Sequence, residues 1–507
     1  VKTYDPYTKY HGKLNPERIV PRYTPLFTPE WKQGYGRLSH SHVRKTNFAC
    51  MNLLTRDREF RDNPLPTEFK SILELSTRAP YCPCPFVLDT MMGVCQYNCI
   101  YCFTALSVSS LLTSFFDSDQ PLRPRYASPE LVTKTLNEVL SARGVEPYER
   151  MRSATKSKSC AATNEPASLK KAAAQRIPLR IGTRSECFLS AEREKGSALA
   201  ALKVLREHEY PTIINTKSDL VIEEPYLSLI SEMGDHLAVQ VSLVHNDDKI
   251  SKLIEPGAPP SSRRWKVLEV LNGIGIQAMP RMEPAAAFLN NDDAHLKAYF
   301  ENAVNAGVKS FMGDTYHYTV KAQEVREMFY RIGVDFDRMW EATSEWQILG
   351  SYVMEKAMYY AKQRGIRAGT FNFHSLPWND DPVCCMVGNK FGSWNKYSMV
   401  SFLRNELVER GKASFEELDN KYYGYELHPD YRKRIRSVWN LTHLNGWNPD
   451  WMEGAFIHSE DSKGNLVWAF DPDRMGEGYE GLIAMQGGKN NGRVRRTRST
   501  RSQRLKD

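Results

Sequence analysis

Three cysteines crowd into eight residues in the segment Gly93-Val94-Cys95-Gln96-Tyr97-Asn98-Cys99-Ile100-Tyr101-Cys102-Phe103, a C-x3-C-x2-C spacing. One short loop can turn three such thiolates onto three corners of a [4Fe–4S] cubane. Ferredoxin-type clusters normally take four cysteines. A triplet with no fourth nearby leaves one iron open, and an open metal position is where a substrate or cofactor binds. A zinc site would show four Cys or His ligands in paired spacing, and no such partner pair lies close by. Two further pairs, Cys82-Pro83-Cys84 and Cys384-Cys385, supply four thiols that could join as an auxiliary cluster or zinc site. They stand 300 residues apart, so only the fold can bring them together, and separate buried or surface thiols are the plainer reading. Cys50 and Cys160 carry no motif.

The rest of the composition suits a reducing compartment. Ten cysteines in 507 residues are too sparse for a secreted disulfide scaffold. No run of 18 or more apolar residues is present, so no membrane span is expected. Val1-Lys2-Thr3-Tyr4-Asp5 lacks the apolar stretch of a secretory signal, and a cytoplasmic location is the default. The formal net charge of +8 is uneven: residues 486–507 hold eight Lys/Arg against one Asp, leaving +1 for the other 485 residues. That tail has few apolar residues and is expected to be disordered alone. It suits contact with nucleic acid through counterion release, or serves only as a solubilising end.

A regular pattern must position the cysteine loop. Apolar runs of strand length lie at Phe86–Val94, Leu179–Thr183, Thr212–Thr216, Leu237–Val244, Ile276–Pro280 and Ser310–Gly313. Helical stretches fall between them near 129–143, 192–208, 223–233, 262–273 and 293–306, with Gly273, Gly275 and Gly307 at helix ends. Six strands, each followed by a helical stretch, predict parallel βαβ units, closing as a partial barrel or lying as an open doubly wound sheet. The loop then sits at the C-terminal mouth of the sheet, where α/β sites form.

Outside that pattern, residues 1–84 read as an irregular N-terminal region. Residues 145–177 read as a mobile basic insertion, with nine Lys/Arg and three Glu over 143–180. Helical patterns at 319–332, 336–364 and 395–411 and a hairpin of Phe456–His458 with Leu466–Phe470 make 319–485 a mostly helical C-terminal domain. His317 falls after the sixth strand, where it suits a substrate contact or proton relay, or a satisfied structural histidine. His374 to Trp378 could place an aromatic wall near the site. Residues 431–439 mix bases and aromatics, which suits phosphate contact and stacking or an ordinary solvated helix face.

With an aromatic residue before its last cysteine, the loop resembles the signature of the radical S-adenosylmethionine (SAM) superfamily. Residues 85–316 resemble more closely its spore photoproduct lyase and DNA repair photolyase-like branch. The segments that carry this are Pro85 to Phe103, Ile181-Gly182-Thr183 with Glu192, Thr216-Lys217-Ser218, Val241-Ser242-Leu243, and Glu255-Pro256-Gly257-Ala258-Pro259 with Arg263-Arg264. The resemblance implies a partial (β/α)6 barrel over residues 85–318. It implies a [4Fe–4S] cluster on Cys95, Cys99 and Cys102, and SAM bound at the open iron and cleaved to a 5′-deoxyadenosyl radical. Tyr101 would pack beside the cluster and the adenine, Lys217 and Ser242 would contact the amino-acid moiety, and Ser185 is a weaker SAM candidate. The branch has a hydrogen-donating cysteine after its second strand. Arg184 aligns there, with Cys187 three residues later as the alternative donor.

The implied function is hydrogen abstraction from a nucleic-acid base. Thymine or a modified thymine in DNA is expected, for repair or for base rearrangement. A flavodoxin or ferredoxin is the implied electron donor. Two other classes stay open: a radical SAM enzyme modifying a peptide or protein with an auxiliary cluster, and a non-enzymatic iron–sulfur protein that binds nucleic acid.

Overall fold

The computed structural model describes residues 72–76, 84–102 except 93–94, 98 and 100, then 125–141, 151–152 and 162–163. It further describes 166–315 except 184 and 287–288, 354–370 except 355, 379–391 except 382, and short stretches between 412 and 470.

Its strands run in chain order as β1 (Leu73–Ser76), β2 (Phe86–Leu88), β3 (Met91–Met92), β4 (Arg125–Tyr126), β5 (Met151–Arg152), β6 (Ala162–Thr163), β7 (Leu179–Ile181), β8 (Thr212–Thr216), β9 (Leu237–Ser242), β10 (Gln277–Ala285), β11 (Ser310–Thr315) and β12 (Arg367–Thr370). Nine of them form one sheet in the order β12-β11-β10-β9-β8-β7-β2-β1-β6. From β2 to β12 every neighbouring pair is parallel. β1 is antiparallel to both β2 and β6. The parallel strands follow one another in chain order without reversal. A doubly wound sheet reverses at a switch point; this one does not, and right-handed crossovers then stack the helices on a single face. The result is a partial (β/α) barrel.

Side chains alternate across each strand, and the two faces differ in chemistry. Phe86, Leu88, Leu179, Ile181, Ile214, Val239, Val241, Ala278, Met282 and Phe311 are buried in the main apolar core. They share a face with one another by strand register and pack against helices such as Ser197–Glu207, Tyr226–Met233, Ser261–Gly273 and Asp293–Asn305. The opposite face carries Arg180, Asn215, Gln240, Ser242, Gln277, Arg281 and Asp314. Short polar side chains cap the helices: Ser128 Oγ accepts from Leu131 N at 3.2 Å, Asp247 from Lys249 N at 2.7 Å and Asp292 from His295 N at 2.8 Å.

All six expected strands and the five helices between them are present. Three features differ from expectation. β12 extends the sheet past residue 318 from within the stretch read as a C-terminal domain. Part of the insertion 145–177 is not an aperiodic loop: β6 pairs with β1, and Pro166–Ala174 is a helix burying Leu169, Ala172 and Ala173. That narrow apolar stripe is hidden among lysines in the sequence. The helix Asp248–Ile254, capped by Asp247, was also not read from periodicity.

The expected hairpin forms from Phe456–Glu460 and Leu466–Phe470, with His458 opposite Trp468. Residues 356–362 are helical. The remaining helical patterns of the C-terminal stretch, residues 1–71 and the basic tail lie outside the described residues. Among the described residues no helix is long and apolar enough to cross a membrane.

Candidate functional site

The cysteine loop leaves the sheet after β2 and the short β3–β4 pair. Cys95, Cys99 and Cys102 are free and partly exposed, and Cys102 N donates to Cys99 O at 3.1 Å. Residues 255–259 clamp this loop from the β9 side. Gly257 N donates to Tyr97 O at 3.0 Å. A Cβ on Gly257 would fall 2.1 Å from Gln96 O and 2.8 Å from Tyr97 Cα, so only glycine permits the approach. The Tyr101 hydroxyl donates to Glu255, and Tyr97 hydrogen-bonds Ser218.

Glu255 is 1% exposed and pairs with Arg264, which is 0% exposed. Arg264 also donates to Pro259 O at 2.9 Å, Ser242 O at 2.8 Å and Ser251 Oγ at 2.6 Å. A buried ion pair is tolerated when its remaining donors are satisfied, as they are here. Burial pushes the Glu255 carboxyl up, but Arg264 and Lys217 outweigh it and hold the group below its usual range. One guanidinium thus fastens the cysteine loop, through Glu255 and Tyr101, to the end of β9.

Lys217 follows β8 at the same mouth. Its ammonium lies 5.7 Å from the centre of the Tyr101 ring. Burial pushes its pKa down, and the facing Cys99 and Glu255 more than offset that, leaving a firmly charged ammonium. The end of β8 is set by Glu186, which accepts from Thr216 Oγ1 and Lys217 N, both at 2.8 Å, and from Phe188 N at 3.0 Å. Burial raises the Glu186 carboxyl despite these bonds.

The loop suits a cluster by its donor chemistry. Burial raises the Cys95 thiol to about 12 and the Cys99 thiol well above its ordinary value, and coordination to a metal removes such protons outright. The described residues contain no group of three or more His, Cys, Asp or Glu side chains gathered as around one metal ion. A cubane gives each cysteine its own iron and does not require the sulfurs to meet at one point.

The other expected site residues fall in different places. Ser242 ends β9, half-buried, with its carbonyl held by Arg264. The Ser185 hydroxyl donates to Met91 O at 2.5 Å, so it ties β3 to the loop after β7. Cys187 is 0% exposed, and burial, with Asp89 nearby, raises its thiol to about 12 while Thr90 hydrogen-bonds it. Arg184, His317, His374 and residues 431–439 lie outside the described residues. Of the second cysteine set, Cys84, Cys384 and Cys385 do come together, and Cys82 lies outside the described residues.

Sequence reasoning missed Glu186 and the polar inner face. The signal available was polar residues inside apolar strands, such as Asn215 in Thr-Ile-Ile-Asn-Thr and Gln240 in Leu-Ala-Val-Gln-Val-Ser. Arg281 Nη1 donates to Gln240 Oε1 at 3.2 Å across that face. Asn215 is 5% exposed, and neither of its amide atoms has a hydrogen-bond partner among the described residues.

No protein-family model matches the chain. An uncharacterised protein of Acidianus two-tailed virus, ORF301, is 28% identical over 108 residues, 21% of this chain and 35% of its own length. Among solved structures, spore photoproduct lyase with a dinucleoside spore photoproduct is 11% identical at a TM-score of 0.37, covering 66% of this chain and 85% of its own. Streptococcus suis SuiB bound to S-adenosylmethionine is 12% identical at 0.34, covering 58% of this chain and 52% of its own. This chain thus spans about a third of the viral protein and about half of SuiB. Spore photoproduct lyase is the branch whose signature residues 85–316 resemble.

Proposed function

We propose that the chain is a radical SAM enzyme that abstracts hydrogen from a nucleic-acid base, with thymine or a modified thymine as substrate. The clamped cysteine loop carries this reading: three thiols are held at the mouth of a partial barrel by Tyr101, Glu255 and Arg264, with the Lys217 ammonium beside them. A [4Fe–4S] cluster on Cys95, Cys99 and Cys102, with SAM at its open iron, would supply the one-electron chemistry. Lys217 would hold the SAM carboxylate by a charge-assisted hydrogen bond, and Ser242 would line the same mouth. Tyr101, its hydroxyl taken by Glu255, would offer a ring edge to the adenine and keep water from the cluster. An electron donor of the flavodoxin or ferredoxin kind is required.

The polar inner face beneath the mouth supports a base as substrate. Asn215 offers one donor and one acceptor in a desolvated setting, a complement to the imide edge of thymine. The complete burial of Cys187 favours rearrangement or elaboration of a modified base over repair, because repair needs a hydrogen donor that meets the substrate. The meeting of Cys84, Cys384 and Cys385 is the one observation favouring a peptide-modifying enzyme with an auxiliary cluster. Iron counting separates the two: about four irons per chain for one cluster, about eight for two.

The test is anaerobic reconstitution with dithionite as reductant. 5′-Deoxyadenosine formation and mass spectrometry of nucleosides from treated DNA are the readouts. SAM cleavage with an altered thymidine is expected. DNA binding without SAM cleavage would replace this reading with the non-enzymatic one. Asn215→Leu is expected to keep iron content and dithionite-driven SAM cleavage, while product from DNA falls at least about tenfold, the discrimination a single buried hydrogen-bond partner supplies. Unchanged product in that variant would remove Asn215 from base recognition.

A further inference from the structure

Cys84 stands two residues ahead of β2, and Cys384-Cys385 lie in the turn that follows β12. The fold closes the gap of 300 residues between them. All three are buried, with exposures of 1%, 6% and 2%. The Cys385 side chain hydrogen-bonds both Cys384 and Cys84, and it faces the guanidinium groups of Arg180 and Arg281. Both arginines come from the polar inner face, and Cys84 enters β2 at its N-terminal end, so the sulfurs lie toward the barrel floor, away from the cysteine loop that follows the strand.

The turn that presents them is firmly built. Asp381 accepts from Val383 N at 3.0 Å and Gly388 N at 2.9 Å. Gln240 Nε2 donates to Cys385 O at 3.1 Å and Gln277 Nε2 to Met386 O at 2.8 Å, seating the turn against the sheet. β12 passes closely beneath: a Cβ on Gly369 would fall 2.5 Å from Met386 Sδ and 3.1 Å from Cys384 O.

This arrangement is suited to thiol chemistry. The Cys384 and Cys84 thiols, with Arg180 and Arg281, hold the Cys385 thiol well below its usual range against the burial that raises it. A thiolate beside cations is the nucleophilic form of cysteine. A second thiol in contact is what resolves its first oxidation product.

We propose that Cys385 and Cys84 form a peroxide-reactive pair that closes to a reversible disulfide at the barrel floor, a site separate from the cysteine loop. The Cys385 thiolate attacks hydrogen peroxide. An S–O bond forms, the O–O bond breaks, and hydroxide leaves to be protonated to water. The sulfenic acid is then attacked by Cys84: an S–S bond forms, the S–O bond breaks, and a second water leaves. In sum, two thiols and one peroxide give one disulfide and two waters, with sulfur oxidised and peroxide oxygen reduced. The buried setting excludes bulky disulfides, since exchange depends on access.

The proposal is independent of the radical reading and is tested without a cluster. The full chain carrying Cys95→Ala, Cys99→Ala and Cys102→Ala is treated with equimolar peroxide under argon, alkylated, digested with chymotrypsin and read by mass spectrometry. A Cys84–Cys385 cross-link, two hydrogens lighter than the thiols and lost with dithiothreitol, is expected. Cys384→Ser keeps that link, and Cys84→Ser gives a dimedone adduct on Cys385 in its place. In the chain with its floor cysteines intact, Cys187 provides an internal control away from the floor: it is equally buried but has its thiol raised to about 12. Cys385 is expected to oxidise at least about tenfold faster than Cys187 in the folded chain, and at the same rate in denaturant. Equal rates in the folded chain, or a link that joins Cys385 to any thiol other than Cys84, would overturn the assignment.

Discussion

Glu192 holds a carboxyl where a charge is costly. The side chain is 0% exposed and accepts from Leu199 N at 2.9 Å, in the first turn of the helix Ser197–Glu207. Burial dominates over these backbone bonds and raises its pKa from 4.5 to about 7. Between those values the folded chain keeps a proton that the unfolded chain has released, so Glu192 lowers stability as pH rises through the window and leaves it lower above it. The shift corresponds to roughly 3 kcal/mol as an upper bound. Glu192→Gln fixes the neutral form, so the variant should gain stability relative to the parent between pH 5 and pH 8. Urea unfolding of both chains at the two pH values measures this. A stability difference that stays constant across that range would show that the carboxyl is ionised throughout.

At the scale of elements, the cysteine loop owes its position to a close backbone approach as well as to the Tyr101–Glu255–Arg264 chain. Gly257 brings the 255–259 segment against the backbone of Gln96 and Tyr97 at 2.1 and 2.8 Å from where a Cβ would stand. Gly257→Ala must push the two segments apart, and it leaves the main core untouched. Reconstituted iron per chain is therefore expected to fall by half or more while the far-ultraviolet circular dichroism stays that of the parent. Full iron loading in the variant would mean that the loop binds its cluster without the clamp.

The same contact shows what the sequence could reveal. The strand Thr212–Thr216 and the helix Ser261–Gly273 stand within a residue of their expected ends, because each pairs a continuous apolar run with a turn or glycine stop. The cysteine triplet was legible because its ligands are local. Glu255-Pro256-Gly257 was visible only as a segment: its grip on Tyr97 and Tyr101 spans more than 150 residues, as the Tyr101–Glu255 separation of 154 shows. β12 was missed because Arg367-Ala-Gly-Thr370 is four residues without alternation, made a strand by β11 alone.

Across the whole molecule, the sheet separates two kinds of chemistry. Its apolar face buries helices, and its polar face encloses an interior with the cysteine loop at one end and the 383–387 turn at the other. The turn depends on Asp381, which is 0% exposed and accepts two backbone hydrogen bonds. Asp381→Ala leaves the Val383 and Gly388 amides without that partner inside the protein, a loss of about 2–4 kcal/mol at one to two kcal/mol for each buried donor. Sheet and helices do not rely on those two bonds, so the loss should be local. Amide hydrogen exchange is expected to quicken over residues 383–388 while β8 and β9 keep parental protection. Alkylation of Cys384 and Cys385 should quicken with it, as the floor opens to solvent. If β8 and β9 lost protection together with the turn, the floor would instead be part of one cooperative unit with the barrel, and the two ends of the interior could not move independently.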